Sequence, residues 1–92
     1  MNEIKQAFEK ALPKIALRLE NELKLVCPVD KGFLRWSIDV KANGSVLTIT
    51  MLDYGLYVEF GTFKQRPNPF IRNAINNKLP TIIQEEIQRY YG

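Results

Sequence analysis

Hydrophobic residues recurring at three- and four-residue steps, then at alternate positions, then at three- and four-residue steps again predict an α+β fold. Its expected core is a small antiparallel sheet built on a hairpin, packed by an N-terminal and a C-terminal helix. Three observations carry this reading. Ile4, Phe8, Leu12, Ile15, Leu19, Leu23 and Val26 form a helical stripe. Asn43-Gly44 separates two alternating runs. Asn68-Pro69 opens a final helical stripe through Ile71, Ile75, Leu79, Ile82 or Ile83, and Ile87. At 92 residues the chain is one domain, 1–92, with room for one modest core.

The first helix is expected over residues 3–26. Asn2 is a candidate N-cap, and Lys5/Glu9 and Glu20/Lys24 sit four apart, where opposite charges pair on the outer face. Pro13 removes one helical hydrogen bond, but the stripe stays in phase across it, which predicts a kink rather than a break. Pro28 ends the helix, and Asp30 is placed to cap a short helical turn over Lys31 to Arg35. From Trp36 the period becomes two. Ser37 to Val40 reads as a strand with Trp36 in the core, and Val46 to Leu52 as its return partner. Asn43-Gly44 forms the two-residue turn, since both residues tolerate positive φ. Asp53-Tyr54-Gly55 is a bend. Tyr57 to Phe60 fits a short strand or a helical turn equally. Asn68 is the expected N-cap of the last helix, with Pro69 in its first position and Pro80 as an interruption.

Composition narrows the chemistry. The chain has no histidine, which removes the commonest general base and metal ligand, and its glycines match no phosphate-binding fingerprint. Asp30, Asp39, Asp53 and Glu59 show no spacing that pairs two acids, so they read as solvated carboxylates. Catalytic, cofactor and metal sites are therefore all expected to be absent. Cys27, the single cysteine, precludes an intrachain disulfide and fits a reducing compartment; it reads as a buried structural residue. The N-terminal residues do not resemble a signal peptide, and no apolar run is long enough for a membrane span.

The net charge is +3. Lys64, Arg66, Arg72 and Lys78 are the uncompensated cations, with Glu59 the nearest acid. In "YVEFGTFKQRPNPFIRNA", Tyr57 to Ala74, Glu59 is expected to meet Arg66 or Arg72. Gly61 marks a special backbone angle or a close approach, with Phe60 buried before it. Pro67 and Pro69 stiffen the basic loop. Tyr90-Tyr91 is either packed on the helix end or an interface anchor.

Three segments, "CPVDKGFLRWSI", "YGLYVEFGT" and "PNPFIRNAI", stand in an order that resembles the tail-completion or head–tail joining family of long-tailed bacteriophages and prophages, a minor tail-component family. Pro28, Asp30, Gly32, Leu34 and Arg35 match the first segment. Tyr54, Tyr57, Val58, Glu59, Phe60, Gly61 and Thr62 match the second. Pro69, Phe70, Ile71, Arg72 and Ala74 match the third, with Ile71 in place of leucine.

The resemblance implies a non-enzymatic virion protein of the head–tail interface, assembled in the bacterial host cytoplasm. It would form a homo-oligomeric ring against connector or tail-tube proteins, with DNA in the lumen and no membrane contact. Tyr57, Glu59, Gly61, Thr62, Lys64, Arg66, Arg72 and Arg35 are its interface candidates. The second reading is a small basic nucleic-acid-binding module using Arg35, Trp36, Lys64, Arg66 and Arg72.

Overall fold

In the computed structural model, residues 2–28, 32–62 and 66–91 are described, except for the side chains of 2–5, 90 and 91. Among the described residues seven elements follow in order: α1 (Asn2–Val26), α2 (Gly32–Ser37), β1 (Asp39–Asn43), β2 (Val46–Thr50), α3 (Tyr54–Phe60), α4 (Phe70–Asn77) and α5 (Leu79–Tyr91). The chain is thus mostly helical around one antiparallel hairpin, the α+β arrangement expected from the patterning. The expected caps at Asn2 and Asp30, the Lys5/Glu9 pair, the packing of Tyr90 and Tyr91, and Lys64 lie outside the described residues and side chains.

The spine is α1. Its 25 residues span about 37 Å at the helical rise of ~1.5 Å per residue. The helix runs on through Pro13. Both Pro13 and Glu9 are exposed, so water can take the place of the missing hydrogen bond. The buried line is Ala7, Ala11, Leu12, Ile15, Ala16, Leu19, Leu23 and Cys27, while Val26 is 40% exposed. Cys27 therefore takes the position that the sequence pattern gave to Val26, one residue past the helix end.

One face of the hairpin lies on this line. The register pairs Val40 with Ile49 and Ala42 with Leu47, and these four side chains join the core clusters built on α1. Asp39, Lys41, Thr48 and Thr50 alternate onto the other face, as period two requires. Asn43 pairs with Val46, so the two turn residues are Gly44 and Ser45 rather than Asn43 and Gly44. Only Gly44 has positive φ, at 63°. That is the type II′ pattern, with glycine first, instead of the type I′ turn the Asn-Gly pair suggested.

Trp36 and Ser37 belong to α2 and not to the strand. The Ser37 hydroxyl donates to the Leu34 carbonyl at 2.7 Å and accepts from the Leu52 amide at 3.0 Å, so it ends the helix and ties it to the strand exit. Trp36 is 83% exposed, against the expectation that it joins the core; Leu34, two residues earlier, is the one that α2 buries.

The final helical region is two helices. Lys78 ends α4, and Pro80 occupies the first turn of α5, where no amide donor is needed. The buried positions are Phe70, Ala74, Ile82 and Glu86, with Ile71, Ile75, Leu79, Ile83 and Ile87 half-buried beside them. Of the expected stripe Ile82 is in the buried line, and the other positions form its flank. Glu86 is 2% exposed and receives Arg18 Nη1 from α1 at 2.9 Å, while Arg18 Nη2 reaches Glu85 at 2.8 Å. Arg18 is held above its ordinary pKa by the hydrogen bonds to Glu85 and Glu86.

Candidate assembly site

Tyr57 to Phe60 is the last turn of α3. An alternating four-residue run fits a strand, but it fits one helical turn as well, and here Val58 and Glu59 turn inward while Tyr57 and Phe60 face out. Phe60 is 70% exposed, so it is not the buried anchor the sequence suggested. Gly61 follows with φ 76°, in the region that favours glycine, and its amide closes on the Tyr57 carbonyl at 2.7 Å.

Glu59 is 6% exposed. Its carboxylate accepts the Ile71 amide at 2.8 Å and the Arg72 amide at 3.1 Å. These are the second and third amides of α4, the donors that a capping side chain normally satisfies. Pro69 holds the N-cap position and offers no capping atom. Asn68, the expected cap, instead gives its amide to the Val58 carbonyl and its carbonyl to the Phe70 amide. The expected Glu59–Arg72 pairing therefore exists through the backbone of Arg72. The negative carboxylate also complements the positive end of the helix dipole.

Arg35 plays the mirror role. Its Nη2 donates to the Cys27 carbonyl at 2.9 Å, just beyond the end of α1. A cation there complements the negative end of that helix and satisfies a carbonyl left without an intrahelical donor. Its Nε is buried and finds no hydrogen-bond partner among the described residues. Gly55 and Tyr54 complete the frame. The Tyr54 hydroxyl accepts the Leu34 amide at 3.1 Å. A Cβ on Gly55 would lie 2.5 Å from Met51 Sδ and 3.0 Å from Leu34 Cδ1, so glycine permits the close approach of α3 to α2.

The structure thus divides the candidates. Glu59 and Arg35 lock elements together, and Gly61 ends α3. Tyr57, Thr62, Arg66 and Arg72 are exposed. Among the described residues the Arg72 guanidinium forms no ion pair, although its amide is held by Glu59. What sequence reasoning missed is an apolar groove of about 620 Å³ between the end of β2, α3 and α4. Its walls include Ile49, Met51, Leu56, Phe60, Ile71 and Ile75. The only local signal for it was the half-exposed flank of the last stripe, Ile71 and Ile75.

Among the described residues no group of acidic and cysteine side chains is placed to hold a metal ion. No described helix is long and apolar enough to cross a membrane. A family model described as "Bacteriophage HK97-gp10, putative tail-component" matches residues 2–61. The match runs from α1 to Gly61 and so contains Arg35, Tyr57 and Glu59, but stops before α4. No match was found among curated proteins or among solved structures.

Proposed function

We infer, from the fact that this chain belongs to the HK97-gp10-like family of bacteriophage tail components, that it works as a ring-forming subunit at the head–tail junction. Membership makes it a structural component of a phage tail and hence of the virion. The finer reading adds a homo-oligomeric ring, seated against connector or tail-tube proteins and completing the tail without catalysing a reaction.

The observation that supports assembly is surface. The accessible area is 6579 Å² for 10.7 kDa. The surface–mass scaling of folded monomers gives about 5,500 Å² at this mass, so roughly 1,000 Å² is in excess. A partner's half of an ordinary protein interface is about 800 Å². The extents of 49 × 20 × 19 Å and a radius of gyration of 14.7 Å, against about 12 Å for a spherical domain of this length, give the same picture of a slender subunit.

Deleting the gene from its phage tests the reading. Full heads and finished tails that accumulate unjoined support the junction role, and normal particles refute it. A DNA titration at two salt concentrations addresses the second reading. Steeply salt-dependent affinity at physiological salt would make the basic residues a nucleic-acid surface. Weak, salt-insensitive binding leaves them to protein contacts.

A further inference from the structure

We propose that the groove between β2, α3 and α4 receives Phe33 and Trp36 from a second copy of this chain. The proposal rests on the reading of the chain as an assembling subunit and names the contact that joins neighbours.

Phe33 and Trp36 are 84% and 83% exposed. They stand three residues apart on α2, so they share a side of the helix, opposite buried Leu34. Isolated exposed apolar residues are ordinary, but two adjoining aromatics left almost wholly in water form a patch that marks a contact. The groove is its counterpart. It is apolar and within the usual ~300–1,000 Å³ of binding clefts. None of its lining comes from α2, so the chain does not fill its own groove with its own knob. Asp53 and Asn76 also line it and offer oxygen acceptors for the Trp36 indole N–H, which needs a partner once buried.

A second copy is the occupant because both halves of the contact are carried by one chain, on different elements. Such a contact is heterologous. It leaves a free knob at one end and a free groove at the other, and it propagates, into a ring where the rotation between neighbours closes. Area sets its strength. Two aromatics bury roughly 300–500 Å² together, and a matching area on the groove brings the total to about 600–1,000 Å². That falls below the ~1,200 Å² of a stable pair, so one contact alone is weak and closure supplies the rest. The excess surface of the subunit is of the size that one knob and one groove would cover.

Trp36 is the only tryptophan, so its emission reports its own burial. The full chain is concentrated to the millimolar range while sedimentation and tryptophan emission are followed together. Association accompanied by a blue shift is expected. Leu56→Arg blocks the groove and Trp36→Ala removes the knob, both at exposed positions, and unchanged circular dichroism confirms that each variant folds. Each variant alone should lose at least tenfold in self-association. Mixing them leaves one intact knob, on Leu56→Arg, and one intact groove, on Trp36→Ala. The mixture should therefore form dimers and stop there, with a blue shift of the only tryptophan present.

A wild-type chain that stays monomeric, variants that associate like wild type, or a mixture without the shift would each overturn the proposal. A chain that assembles with Trp36 still in water overturns the groove contact but leaves the tail-component reading standing. That reading falls only on the particle phenotype of the gene deletion.

Discussion

Glu59 shows how a charged residue in a motif can serve the fold. It is buried, it sits at the end of one helix, and it caps the next one from eleven residues upstream of the first helical position, Phe70. Removing a buried acceptor of two amides leaves those donors unsatisfied, at about 1–3 kcal/mol. Glu59→Ala is therefore expected to destabilise by about 2 kcal/mol. For a domain of this size that lowers the melting temperature by roughly 8–16 °C. Glu59→Gln keeps one acceptor oxygen and should lose about half as much, and equal loss in thermal melts of both variants would contradict the capping role. The sequence made Glu59 visible as a partner for Arg66 or Arg72, since it is the acid that stands beside the basic loop. It did not show that the bond ends on the Arg72 amide, because a remote cap leaves no local spacing to read. Trp36 misled for a related reason: aromatic burial is the common outcome, and nothing within three residues of Trp36 shows which side of α2 meets the core.

At the scale of elements, α1 and the hairpin were legible because their periods extend over enough residues to exclude the alternative. Tyr57 to Phe60 was not, since four residues satisfy both periods. The docking of α5 on α1 was also hidden. It joins Ile82 to Leu12 and Ile15, and Arg18 to Glu85 and Glu86, all more than sixty residues apart in sequence. These two acids should respond differently. Glu85 is half exposed, so Glu85→Ala is expected to shift stability by less than about 0.5 kcal/mol. Arg18→Ala takes the 2.9 Å donor from the 2% exposed Glu86 carboxylate, leaving it Arg89 at 3.7 Å, and should lose about 1–3 kcal/mol, read as the urea midpoint.

Glu20 ties α1 to β1. Its carboxylate accepts the Val40 amide at 2.9 Å and pairs with Lys24 at 3.4 Å. The amide bond, followed by Lys24, holds its pKa below the ordinary carboxylate value. A folded-state pKa below the unfolded one means that the native chain binds fewer protons. The stabilisation is then present above the unfolded value and is lost as pH falls through the folded value. Urea midpoints across the acid range should fall more steeply for wild type than for Glu20→Gln. Parallel curves would exclude the Glu20 contribution.

For the whole molecule, the basic loop can be separated from the locked frame. Arg66 is exposed, and Arg66 and Lys64 sit between Gly61 and Pro67 in sequence. The double substitution Lys64→Ala and Arg66→Ala should leave the melting temperature of the isolated chain unchanged and yield particles with unjoined heads and tails. Normal particles would mean that this loop carries no assembly contact. The fold class was readable from the sequence at this scale because three long patterned segments define it. The slender shape was not, since it follows from how the other elements are strung along the 25 residues of α1.

The union of α1 with α5 also sets a timetable for biosynthesis. Ala11, Leu12 and Ile15 are covered by Ile82, with Ile83 and Ile87 beside it. The ribosome has roughly 70 further residues to add after Leu12 before that cover is made, which takes about 4–14 s at ~5–20 residues per second. Through that interval Ala42 and Leu47 of the hairpin are available to this part of α1, but the side that α5 will cover stays open. Closure of the fold therefore waits for the release of the final helix.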